Sequence, residues 1–236
     1  MPQPLSSEHY MEIRYEAMGS FLNIRGAVAD FVKEKEIFRH WRIGENRVDF
    51  WNMEDPDEDP EKGYVSFRNC GYQMHNPSTE NHFLDRAAKF ISALGDMESF
   101  NFPRISRLGV RSRFYHSVEN MSFGEFCERY STKFLRDGVP GVFAGSVKDV
   151  AVNLDFRDKN VSFNTASGPM KKEQFIQQFS TLAQKEEIAP IGLFFDIDCF
   201  ETDLGILPTQ TIQVDLRALH KQCWQKLNAI EALLEI

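Results

Sequence analysis

Two aspartates, Asp196 and Asp198, stand two positions apart in the run IGLFFDIDCFETD (191–203), where an apolar segment turns abruptly acidic. Side chains alternate along a strand, so Leu193, Phe195, Ile197 and Cys199 take one face while Phe194, Asp196, Asp198 and Phe200 take the other. Strand rise sets the two carboxylates roughly 6.5 Å apart, near enough to share a cation or to meet a row of arginines. The chain supplies such a row. In RISRLGVRSRFYH (104–116), Leu108, Val110 and Phe114 point inward, and Arg107, Arg111, Arg113 and Tyr115 point outward.

Three chemistries fit these residues. If the two strands pair, Asp196 and Asp198 face Arg107, Arg111 or Arg113 in an ion-pair ladder, and guanidiniums in a row can also take carboxylate or phosphate bidentately. On that reading Arg107, Arg111, Arg113, Tyr115, Asp196 and Asp198 form the binding surface for a protein partner or a small anionic ligand. Alternatively, Asp196 and Asp198, with Glu201 or Asp203, hold Mg²⁺ and activate water on a phosphoester. No Gly-rich phosphate loop precedes a helix, and no second acidic motif stands at a readable distance. The third reading, a nucleic-acid-binding sheet, rests on arginines interleaved with Tyr115. A net charge of −8 and a pI near 5.3 oppose it, as they oppose an anionic membrane.

Other chemistry lacks its signatures. There is no G-x-S-x-G elbow, none of the six histidines stands in a nucleophile motif, and His220 reads as a packing or capping residue. Cys70, Cys127, Cys199 and Cys223 are far apart, which reads as reduced core thiols. The acidic stretch EDPDEDPEK (54–62) misses the calcium-loop spacing and reads as a solvated hairpin loop. No cofactor is expected. The N-terminal ten residues carry neither a basic start nor an apolar segment, and no run reaches the roughly 20 apolar residues of a membrane span, so a cytoplasmic protein is expected.

These residues need a frame. YMEIRYEA (10–17) alternates as a half-buried strand; a helix follows with Phe21, Ile24, Val28, Phe31 and Val32 on its apolar stripe. A strand through Trp41 to Trp51, bent at Gly44, and another from Tyr64 to Met74 come next. Ser78 or Thr79 is placed to cap the helix of Phe83, Leu84, Ala87, Ala88, Ile91 and Leu94. Beyond the arginine strand, Ser122 and Glu125 form a capping box for a helix carrying Phe126, Cys127 and Tyr130. A Gly/Pro loop (138–145), a hairpin turning at Asp158 to Asn160, and a short helix with Phe175, Ile176, Phe179 and Leu182 lead to the aspartate strand. A final helix runs from about Asp215 to the end, striped with Leu216, Leu219, Cys223, Leu227, Ile230 and Leu234.

The order predicts an α+β protein of two tandem β-α-β-β-α units and a closing β-α, with a mainly antiparallel sheet and helices on one face. The first unit spans 1–100 and the rest 101–236, as one continuous domain. Strand starts at Tyr10, Arg104 and Ile191 lie 94 and 87 residues apart, a pattern of duplication without residue identity. The open sheet face is then either a binding surface or the contact of a homo-oligomer. The 21 phenylalanines supply large apolar volume for the covered face.

RLGVR at 107–111, the DID at 196–198 after an apolar strand, and Leu219-His220 on the closing helix together resemble an uncharacterised, sporadically distributed family of bacterial proteins of about this length. The similarity covers mainly Phe102 to Ile236; in the first hundred residues SSEHYMEIRYEA stands where that family opens on an apolar strand. The resemblance implies the element order and a bacterial origin, and carries no activity.

Overall fold

The computed structural model describes residues 5–135, 142, 145, 147–178 and 188–236. The expected Gly/Pro loop, and Phe179 and Leu182 of the short helix, lie largely or wholly outside them. The elements run β1 (Leu5–Tyr15), α1 (Phe21–Glu34), β2 (His40–Ile43), β3 (Arg47–Trp51), β4 (Glu61–Ser66), β5 (Asn69–His75), α2 (His82–Asp96), β6 (Ile105–Ser117), α3 (Phe123–Phe134), β7 (Val152–Asp158), β8 (Val161–Lys171), α4 (Lys172–Gln178), β9 (Ile191–Gly205) and α5 (Thr209–Leu234). The nine strands form one antiparallel sheet in the order β2-β3-β4-β5-β1-β6-β9-β8-β7.

The first hundred residues hold two strands more than their periodicity predicts. The segment read as one strand bent at Gly44 is a hairpin, closed where Gly44 N–H donates to Arg47 O at 2.7 Å. Tyr64 to Met74 is likewise two strands, reversing at Phe67–Arg68. In both cases apolar alternation continues across a two- or three-residue turn, so period alone does not show the break. The acidic stretch does connect β3 to β4, with one correction. Asp59 is buried and accepts the backbone N–H groups of Asn52, Met53 (2.7 Å) and Glu61 (2.8 Å), which makes it the knot of the loop. The Ser122–Glu125 capping box forms. Ser78 and Thr79 do not cap α2; Asn81 holds that position, and Ser78 Oγ meets His82 Nδ1 at 2.9 Å.

One sheet face carries the core. Ile13, Val48, Val65, Cys70, Leu108, Val110, Phe114, Leu193, Phe195, Ile197 and Cys199 lose essentially all contact with solvent there, beneath α1, α2, α3 and α5. Helices are not confined to that side. α4 lies on the opposite face, where Phe175 packs 4.4 Å from the Tyr115 ring. All four cysteines are free and buried. Among the described residues no helix is long and apolar enough to cross a membrane.

Under α5 the core encloses two histidines. His9 is fully buried, with Nδ1 2.9 Å from Ser112 Oγ and Nε2 3.1 Å from Ser7 Oγ, and its ring meets Phe83, Phe114, Trp224 and His220. His220 accepts Trp224 Nε1–H at 3.3 Å, the packing role its place in the stripe implies. Burial lowers both: His9 falls well below its ordinary value and His220 falls from 6.5 to about 4. The unfolded chain therefore binds protons that the folded chain refuses. Stability is intact above pH 6.5 and falls as pH drops toward 4, by up to about 1.4 kcal/mol per pH unit for each histidine. Urea unfolding at pH 7 and pH 5 is expected to show this loss, and His220→Leu to reduce it.

Candidate functional site

Antiparallel register aligns the open face in rows. One row reads Trp51, Lys62, Gln73, Tyr10, Arg111, Asp198 across six adjacent strands. The next reads Asp49, Tyr64, Gly71, Glu12, Gly109, Phe200, and a third His75, Glu8, Arg113, Asp196. Charge thus gathers on β1, β6 and β9, at the middle of the sheet.

The aspartate strand and the arginine strand are neighbours, and in the ladder Arg107 and Arg111 reach their aspartates on diagonals while Arg113 meets its partners directly in register. Arg107 Nη2 reaches both oxygens of Asp198 at 2.7 Å, and its Nη1 reaches Glu12 Oε2 at 3.2 Å. Arg111 grips Asp196 through Nε (2.8 Å) and Nη2. Arg113 donates to Glu8 Oε2 at 3.1 Å and stands 3.5 Å from Asp196. The glycine of RLGVR explains the diagonal. A Cβ on Gly109 would lie 2.7 Å from Arg107 Nη1, so its absence lets the guanidinium lie flat across the strand, 4.5 Å from the Phe200 ring.

β1 supplies the acids that the sequence reading left out. Glu12 accepts Arg14 Nε at 2.8 Å, Tyr64 Oη at 3.2 Å and Asn69 Nδ2 at 3.1 Å, in addition to Arg107. Glu8, almost wholly buried, meets His75 Nε2 at 3.2 Å as well as Arg113. Glu8, Tyr10 and Glu12 alternate with His9 and Met11; beginning the strand at Tyr10 hid Glu8 in the tail. Gly71 repeats the device of Gly109, since a Cβ there would strike the Tyr64 ring that lies over it.

Burial governs the ionisation here. It raises the Asp198 carboxyl despite the bidentate guanidinium, and it lowers His75 despite Glu8 beside it. Tyr10 is raised first by burial and then by its bond to Glu8, while the bond to Asp196 holds Arg111 above its ordinary value.

Two expected site residues are lost to the open face. Tyr115 is on the predicted face but is 1% exposed, sealed under Phe175 with its hydroxyl donating to Ala189 O at 3.0 Å. It cannot stack on a ligand. Glu201 belongs to the other face, opposite Leu108 in register and raised in pKa by burial and by Asp215 of α5, so the sheet separates it from Asp196 and Asp198. Among the described residues no group of three or more His, Cys, Asp or Glu is arranged to hold a metal ion.

Beside the ladder the open face dips into a concavity of about 690 Å³, bounded by Trp51, Lys62, Tyr64, Tyr10, Arg14 and Arg111, with Pro56 and Asp57 of the acidic loop at its rim. Arg47 lies 4.0 Å over the Tyr64 ring and pairs with Asp49, which Arg42 also approaches at 3.9 Å. Compared with protein-family models, curated proteins and solved structures, the chain matches none.

The ladder divides into buried and exposed members. Arg107 keeps 14% of its side-chain exposure against 44% for Arg111. Arg107→Ala strands Asp198 on a half-buried face and is expected to cost about 3 kcal/mol. Arg111→Ala is expected to cost about 1 kcal/mol or less. Denaturant unfolding of the two variants measures the contrast.

Proposed function

We propose that the chain is a non-enzymatic binding protein that takes a small anionic ligand, or an anionic segment of a protein partner, on the open face of its sheet. The observation that carries this reading is the concavity. Seven of its lining residues are Arg or Lys against four Asp or Glu, in a chain where acids outnumber bases by 35 to 27. Its volume is in the range of small-molecule sites, and Tyr10, Tyr64 and Trp51 supply ring surface beside the charge. Arg111, exposed yet oriented by Asp196, is the ladder arginine best placed to meet a ligand.

The hydrolase alternative loses ground because Asp196 and Asp198 are both engaged by arginines and Glu201 is across the sheet. The nucleic-acid alternative loses Tyr115. On the resemblance carried by RLGVR, DID and Leu219-His220 we infer a bacterial origin, and we keep the cytoplasmic location expected from the lack of an apolar run long enough to span a membrane. We also infer a duplication, with its boundary near residue 100. The strand order is mirrored about the β1–β6 pair, β1, β5, β4, β3 on one side and β6, β9, β8, β7 on the other, which supports two β-α-β-β-β-α halves with β2 added to the first and α4 to the second.

Native mass spectrometry of the protein purified from its own host tests the binding reading. The expected result is a co-purifying small anion or protein that Arg111→Ala loses while remaining folded. A bare chain carrying a divalent ion, released by the Asp196→Asn/Asp198→Asn double variant, would overturn it in favour of the hydrolase.

A further inference from the structure

The three arginines of the strand are not the free cations of this face. Arg14, Arg107, Arg111 and Arg113 are met by Glu8, Glu12, Asp196 and Asp198, four charges against four. What the ladder leaves is at two positions of one row, either side of Gln73 and Tyr10. The side chain of Lys62, half-buried on β4, makes no hydrogen bond or ion pair among the described residues, and the nearby Asp49 is taken by Arg47 and Arg42. At the other end Arg111 spends Nε and Nη2 on Asp196 and keeps Nη1. Gln73 and Tyr10 stand between them in register, so the two Cα atoms are three strand spacings apart, about 14 Å. Both side chains line the same concavity.

The middle of the row is neutral and accepting. Gln73 directs its amide nitrogen to Glu8 at 3.3 Å and to His75 Nε2 at 2.5 Å, which turns the amide oxygen away from both, and Tyr10 stands next to Gln73 in register. An amide oxygen and a phenol oxygen remain, and they suit hydroxyl donors. A singly charged ligand satisfies one end of this row and leaves the other bare.

Resting on the reading of the concavity as an anion site, we propose that the Lys62-Gln73-Tyr10-Arg111 row binds a hydroxylated small molecule bearing an anionic group, phosphate or carboxylate, at each end. Titration calorimetry with matched probes tests it: fructose 1,6-bisphosphate against fructose 6-phosphate, and galactarate against galactonate, which differ only in the second anionic end. At least tenfold tighter binding of the doubly charged member of one pair is expected, and which pair shows it distinguishes phosphate from carboxylate. Lys62→Ala is expected to erase that tenfold difference and to leave the denaturation midpoint unchanged. Equal affinities within both pairs, or a preference that survives Lys62→Ala, overturn the two-ended site while leaving an anion site in place. If none of the four probes binds, and Arg111→Ala leaves the host-derived adduct intact, the anion reading falls with it.

Discussion

The open face depends on the contact between Arg107 and Asp198. A nine-stranded sheet covered on one side by most of its helices must expose the other, and the middle strands of that face carry charge that cannot be left unpaired so near the core. Arg107 satisfies the requirement for two strands together, since it is bidentate to Asp198 on β9 and reaches Glu12 on β1. It can do so only because position 109 has no side chain. The pairing also works against burial, which makes the Asp198 carboxyl harder to ionise even with the guanidinium in place. Such a contact adds little net stability but strongly disfavours any register that breaks it. A shift of one residue between β6 and β9 would turn the aspartates into the apolar core.

Much of this was legible in the sequence. Alternation alone placed Leu193, Phe195, Ile197 and Cys199 inward and Asp196 and Asp198 outward, and all six are found so. It put the three arginines on the same face as the aspartates, and the structure makes the two strands neighbours. What alternation cannot report is what covers a residue from elsewhere in the chain. Tyr115 has the period of a surface residue and the burial of a core one, because α4, some 60 positions away, lies over it. The tight turns at Gly44 and Phe67 escaped for a related reason: a hairpin that keeps its hydrophobic phase through the turn looks like one long strand.

The first hundred residues were the harder half, and they hold the more informative part of the site. Glu8, Tyr10 and Glu12 of β1, Lys62 and Tyr64 of β4, and Gln73 of β5 form no motif, being scattered over 66 positions. Only the sheet order gathers them, by bringing β5 and β4 in line beside β1. Their separate residue types are those of any solvated strand face, and without the register no pair among them could be named.

Pairing four arginines with four carboxylates has a consequence for recognition. A row of unpaired guanidiniums would be flexible and heavily hydrated, and a ligand would have to order it on arrival. Here the side chains are ordered beforehand by Glu8, Glu12, Asp196 and Asp198, and Tyr64 is held between Gly71 and Arg47. The neutralised floor therefore contributes shape and hydrogen-bonding edges, while unbalanced charge is kept to the rim, at Lys62 and the free edge of Arg111. On the proposed binding reading such a division would separate affinity from position, the rim attracting the anion and the ladder setting where it lies. The same strand that looks, by composition, like the anion-binding element acts chiefly as the scaffold that holds one rim cation in place.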